Sequence, residues 1–223
     1  MRWLRDASGR FPRRPHYEPA ELEAVCAELR AELHQIRPPG GCGALTTDDL
    51  TVLIEQRAAD LDLYADLPPD LDAVTDFAIG VRPRVRVAAR LSSQPRSANR
   101  LRTTLAHELA HVVLHNFIWW FNPDTGVRFD PAALSPRCLL KVRAGDWMEW
   151  QANYCAGALL IPAETFSDAH AAVWERSSEG RALIRTVQQQ FGVSSQAATI
   201  RLRQLGRLSE RPLRVARAPI PRW

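Results

Sequence analysis

The sequence predicts an α+β protein, mostly helical, with a small antiparallel sheet and a C-terminal helix-turn-helix-like segment. Three observations carry that expectation. Apolar residues recur at helical spacing over much of the chain. One stretch alternates instead: Val85, Val87 and Ala89 sit between Arg84, Arg86, Ala88 and Arg90, the period of a strand with one wet face. Near the C-terminus a glycine separates two short helical patterns. A length of 223 residues suits one domain, or one with a small helical appendage, and it can bury a core without covalent staples.

Composition narrows the class. Apolar residues make up 46% and charged residues 24%, which is globular and excludes a disordered chain or a coiled coil. No run of uncharged apolar residues is long enough to span a membrane. The opening MRWLRDASGRFPRRPHYE has charge but no apolar stretch, so no secretory signal is expected. Cys26, Cys42, Cys138 and Cys155 form no CxxC pair, which argues against a disulfide scaffold or a cysteine zinc knuckle. Cys26 and Cys155 lie on apolar helix faces, as small core residues do. A reduced, cytoplasmic protein with no membrane partner is expected.

Charge is unevenly placed. Residues 1–16 carry five Arg and one Asp, and 176–223 carry ten Arg and two Glu, so the overall +4 leaves the middle at −8. The basic ends are either solubilising surface or contacts for something acidic.

Taken in order, 1–17 reads as an irregular basic arm. Over 18–36, Leu22, Val25, Cys26, Leu29, Leu33 and Ile36 make an amphipathic helix, which Pro-Pro-Gly-Gly at 38–41 ends. Thr46 to Asp49 cap a second helix expected to run to about Ala65. These N-terminal helices, 18–69, should pack on a central domain of 70–166. There VTDFAI, from Val74, pairs antiparallel with the alternating strand, and a polar loop leads into two helices separated by an aromatic, Pro-containing segment at about 116–145. Phe117, Trp119, Trp120 and Phe121 in that segment are either a local core or the lining of a groove. A helical segment spans 167–211, with helices at 168–190 and 195–206, and a loose tail, 212–223, closes the chain.

The chemistry concentrates at His107-Glu108-Leu109-Ala110-His111. Residues four apart on a helix share a face, so two imidazoles there can chelate one ion, zinc or alternatively manganese. The intervening Glu108 is left as a base. Catalytic zinc takes three protein ligands and one water. His115 stacks on the same face but lies a turn too far, and reads as a residue behind the ligands, facing substrate, or structural. The better third ligand is Glu149, with Asn153 one turn on to orient a ligand His from its far nitrogen. Asp146 and Glu149 also match a helix-capping pair, an alternative use of the same Glu.

These residues, TLAHELAHVVLH followed by EWQANYCAGALLIP, resemble the ImmA/IrrE-type metallopeptidases, a gluzincin-like family. There an HExxH helix precedes a Glu-x-Glu-Ala-Asn-x-Phe-Ala helix ending in Leu-Leu-Met-Pro. The resemblance covers roughly 70–165 and, more weakly, 185–208. It implies a zincin-like fold with His107, His111 and Glu149 as metal ligands, Glu108 as catalytic base and Asn153 behind the ligands. The sequence departs at Gln151, where a second Glu is usual, and at Tyr154-Cys155, where a Phe is common. The implied activity is a zinc-dependent regulatory endopeptidase, with a helix-turn-helix transcriptional repressor as its protein substrate. Tyr154, His115 and the arginines of 96–102 are candidates to steady the oxyanion.

The last helices add a second reading. FGVSSQAATIRLRQLGRL has a Gly turn, Ser194 as an N-cap and Gly206 as a stop. Arg201, Arg203 and Arg207 could meet phosphate or an acidic partner, or simply face solvent on a helical cap. The alternative function is therefore a non-catalytic DNA- or protein-binding regulator that keeps the peptidase fold and a structural metal.

Overall fold

The computed structural model describes residues 1–7, 11, 13–36, 44–78, 80–118, 146–166 and 180–208. The aromatic segment beyond residue 118, the turn at 38–41, the first part of the 168–190 helix and the tail lie outside the described residues, as do Cys42 and Cys138. The architecture is α+β and mostly helical, as expected.

The arm expected to be irregular is instead a two-stranded antiparallel ribbon, β1 (Arg2–Arg5) and β2 (Arg13–His16), with Trp3 opposite Pro15. Ion pairs tie it to the next helix: the Met1 amino group meets Glu21, and Arg2 meets Glu18. Trp3 also packs edge-on against Phe117, ring centroids 5.8 Å apart. Helix α1 (Pro19–Ile36) buries Leu22, Cys26, Leu29 and Leu33 of the predicted stripe, while Val25 is part-buried and Ile36, at the helix end, is exposed.

Helix α2 (Thr47–Glu55) starts at the expected capping box, with Thr46 accepting from the Asp49 N–H and Asp49 from that of Thr46. It stops ten residues short of the predicted end. Asp60-Leu61-Asp62-Leu63-Tyr64-Ala65 alternates with period two, and that pattern forms strand β3 (Asp60–Ala65). Strands β4 (Ala73–Asp76) and β5 (Arg84–Ala88) pair antiparallel as predicted, whereas β3 lies parallel to β5, so the sheet, in order β3-β5-β4, is mixed. Asp72, buried beside β4, is held by Arg90 and Arg100 at 2.7 and 2.6 Å.

A short turn, α3 (Ala89–Ser92), leads to α4 (Ala98–His115), which packs along α5 (Trp147–Leu160) in the centre of the core. Helix α1 crosses α5, where Arg30 donates to the Leu159 carbonyl at 2.9 Å. Cys26 and Cys155 meet at the same crossing, free and buried, with sulfurs 3.2 Å apart. The hydrogen bond to Cys155 and burial hold the Cys26 thiol well above its usual pKa, so it is an inert core group.

Helices α6 (Gly180–Phe191) and α7 (Ser195–Gln204) form the expected pair, with the Ser194 hydroxyl accepting from the Ala197 N–H at 3.1 Å. Gly192 between them has φ 59°, and a Cβ there would run into the Arg102 guanidinium that bonds its carbonyl. Among the described residues no helix is long and apolar enough to cross a membrane.

Two tyrosines, Tyr17 part-buried and Tyr154 buried, make the fold sensitive to alkali. Burial pushes Tyr17 and Tyr154 up to about 12, and nearby Glu21 and Glu23 add to it. The folded state therefore keeps phenols protonated that the unfolded chain ionises. Stability is full below pH 10 and should fall as pH rises from 10 towards about 12, read as a falling thermal midpoint. Tyr17→Phe should flatten that fall; an equally steep curve for that variant would refute this origin.

Candidate metal centre

The α4–α5 contact builds the site. Three imidazoles, His107, His111 and His115, stack at four-residue intervals along one face of α4, with neighbouring ring centroids 4.7 and 5.0 Å apart. All three are buried, as is Glu108. Helix α5 brings Glu149 against the first two. The His107 and His111 Nε2 atoms are 3.1 Å apart. Glu149 places Oε2 3.3 Å from His107 Nε2 and Oε1 3.3 Å from His111 Nε2. Ligand atoms of the three residues all lie within 4.8 Å of one another, an arrangement that could hold a metal ion.

These separations fit a specific ion chemistry. Bonds of about 2.0–2.2 Å to a tetrahedral centre imply roughly 3.3–3.5 Å between ligand atoms. The spacing of the two nitrogens and the carboxylate is close to that edge. Glu149 Oε2 is also buried with no hydrogen-bond partner, an acceptor that a cation would satisfy.

The electrostatics agree. Although burial works against it, the His111 and His107 rings hold the Glu149 carboxyl well below its usual range, so it stays ionised. Burial alone would lower the His107 pKa, but Glu149 and then Glu108 raise it on balance. Burial, with His111 beside it, holds His115 well below the usual imidazole value, so His115 is neutral at pH 7.

Asp146 and Glu149 divide the two uses that the sequence left open. Asp146 caps α5 by accepting from the Glu149 N–H at 3.5 Å, while the Glu149 side chain turns to the histidines. Asn153, one turn on, lies close enough to His107 to favour its protonated form. Neither its amide nor His107 Nδ1 has a hydrogen-bond partner. His115 sits behind His111, with the two Nδ1 atoms 3.0 Å apart.

Thr75 escaped the sequence reading. From strand β4 its hydroxyl donates to Glu108 Oε2 at 2.6 Å. The contact spans thirty-three residues, and no local pattern signals it. Burial raises the Glu108 pKa, and this hydrogen bond opposes the rise.

The other expected residues separate. Arg201 must be corrected as a partner or nucleic-acid contact. It is fully buried, with its guanidinium on Glu23 at 2.7 Å and Nε donating to the Ile161 carbonyl at 2.9 Å. Arg207 donates to the Phe166 carbonyl. Arg203 is exposed. Tyr154 donates to Glu23 at 2.9 Å, and His115 Nδ1 lies 3.0 Å from His111 Nδ1, so both are already engaged with other side chains. Arg96, Arg100 and Arg102 engage Gln94, Asp72 and Asn99.

Comparison with known proteins agrees with the resemblance read from the residues. Residues 141–203 match the model of Peptidase_M78, the IrrE N-terminal-like domain, a span that includes Glu149 and Asn153 and begins after the HExxH helix. No curated protein matches the chain. A solved structure named Mycobacterium tuberculosis transcriptional regulator is similar in fold, with TM-score 0.51 and 18% identity over 88% of this chain. The match covers 49% of that protein, so this chain spans about half its length. The chain thus carries an IrrE-like segment on a mostly helical α+β fold.

Proposed function

We propose that this protein is a zinc-dependent regulatory endopeptidase, with manganese as the alternative metal, that cuts a peptide bond in a specific protein. The observation that carries the reading is the convergence of His107, His111 and Glu149 beside Glu108, a buried carboxylate left outside the ligand set. A purely structural metal has no use for such a base.

His107, His111 and Glu149 would hold the ion, which when bound supplies Lewis acidity towards a carbonyl and activates water at neutral pH. Glu108 does the proton work. Thr75 holds its Oε2, leaving Oε1 to take a proton from water and pass it to the departing amine. Burial raises the pKa of Glu108 above the usual carboxylate value, which makes it a better proton acceptor than an exposed carboxylate. Glu149, kept ionised by the two histidines, balances positive charge without competing for that proton.

The substrate class follows from the resemblance to regulatory peptidases: a helix-turn-helix repressor in the cytoplasm. The test compares newly formed protein N-termini in host cells expressing wild type or Glu108→Gln. A short set of cuts seen with wild type alone, with such a repressor among them, is the expected result. Identical profiles would sink the protease reading. They would favour a binding regulator that uses the α6–α7 pair, where Arg203 is the exposed arginine of the three considered.

A further inference from the structure

Behind the proposed ligands runs a chain of buried hydrogen bonds that the peptidase reading does not use. It begins on β2 of the N-terminal ribbon. Gln151 Nε2 donates to the Pro15 carbonyl at 2.9 Å. Gln151 Oε1 is 3.1 Å from His115 Nε2, and His115 Nδ1 is 3.0 Å from His111 Nδ1. Pro15, Gln151, His115 and His111 are all buried. Trp147 closes the far side, its ring edge-on to His115 at 5.6 Å.

The direction of every bond follows from one end. A carbonyl oxygen can only accept, so the Gln151 amide must turn its NH2 to Pro15 and its oxygen to His115. That oxygen also only accepts, so His115 must carry its proton on Nε2. A neutral imidazole protonated there has a lone pair on Nδ1, which can only accept from His111. His111 then carries a proton on Nδ1, so that in the neutral ring it is Nε2 that holds the lone pair. Nε2 is the atom that faces His107 and Glu149.

We propose that Gln151 and His115 are positioning residues that fix the tautomer of His111, and that the N-terminal ribbon sets this order through the Pro15 carbonyl. The inference rests on the metal-centre reading for its purpose, but not for its geometry. It assigns the ribbon a part in metal affinity and gives Gln151 a reason to be an amide. A carboxylate there could accept from His115 but would set an oxygen against the Pro15 carbonyl. The two ligand histidines differ accordingly: His111 is pre-set, while His107 Nδ1 has no partner.

The test uses the full-length chain. Long-range proton–nitrogen spectra of the metal-free wild type should show the His111 proton on Nδ1 and the His115 proton on Nε2. A His111 ring protonated on Nε2 and bare on Nδ1 overturns the proposal without any variant. Zinc affinity, measured by competition with a chromogenic chelator, should fall about 10–100-fold in Gln151→Met, the usual scale for a group that orients a metal ligand. His115→Phe should fall similarly, and the double variant no further, because both act through one path. Wild-type affinity in Gln151→Met, or additive losses in the double variant, would refute the relay. If wild type takes up no zinc, the metal-centre reading fails, and the spectra still decide the tautomer order.

Discussion

Glu108→Gln should keep metal at wild-type stoichiometry and cut peptide hydrolysis by about 10²–10⁴-fold, the usual weight of a positioned general base. Glu149→Ala should lose the metal. The contrast follows from the geometry. Gln is the same shape as Glu, and its carbonyl oxygen can still accept from Thr75, so the packing around this buried position survives. What is lost is the ability to hold a proton. Glu149 instead meets both imidazoles at 3.3 Å, and without it two histidines alone face the ion. His107→Ala should behave like Glu149→Ala. Metal content by elemental analysis of the purified variants, beside cleavage of the substrate found in cells, checks each part. Loss of metal in Glu108→Gln would make Glu108 a ligand, and unchanged metal in Glu149→Ala would place the third ligand elsewhere.

The parts of the site that were legible in the sequence obey helical periodicity. His107, His111 and His115 fall on one face because four residues make about one turn, and no tertiary knowledge is needed to see it. Glu149 and Asn153 follow the same rule on a second helix, and the need for a third ligand beside two histidines, with the resemblance, suggests that the two helices face one another. Asp146 and Glu149 show the limit of local reading. The capping pattern was real, yet only its backbone half formed, because the Glu149 side chain had a stronger use. Contacts across long stretches of chain left no trace: Thr75 to Glu108, Pro15 to Gln151, Glu23 to Arg201. Pro and Arg in the arm suit no periodic core, so its pattern is irregular, but its strands are held by each other and by Glu18, just before α1, and Glu21 on it. Strand β3 is hard to tell from α2 in sequence, because the Thr46 cap starts a helix and only the alternation of Asp and Leu from Asp60 marks the change.

Replacing Arg201 should cause the largest loss of stability. Read with Arg203 and Arg207 it suggests a basic face. Read with Ala198 and Leu202, three residues before and one after, it lies on the apolar stripe of α7, and all three are buried. Its charge is met by Glu23 on α1, whose carboxylate also accepts from Tyr154, and its ring-side face lies over Tyr154 with 5.5 Å to the centroid. The arginine therefore joins α1, α5 and α7. Arg201→Met should cost about 2–3 kcal/mol, because it takes the ion partner from a part-buried carboxylate and the donor from the buried Ile161 carbonyl. For a chain of this size that lowers the thermal midpoint by on the order of 10 °C. Adding Glu23→Leu should restore much of the loss, since removing both members of a buried pair is far less costly than removing one. Were Arg201 instead a contact for nucleic acid, Arg201→Met would weaken salt-sensitive DNA retention and leave the midpoint in place. Arg203→Ala supplies the control: an exposed arginine on the same helix, whose loss should leave stability within about 0.5 kcal/mol of wild type.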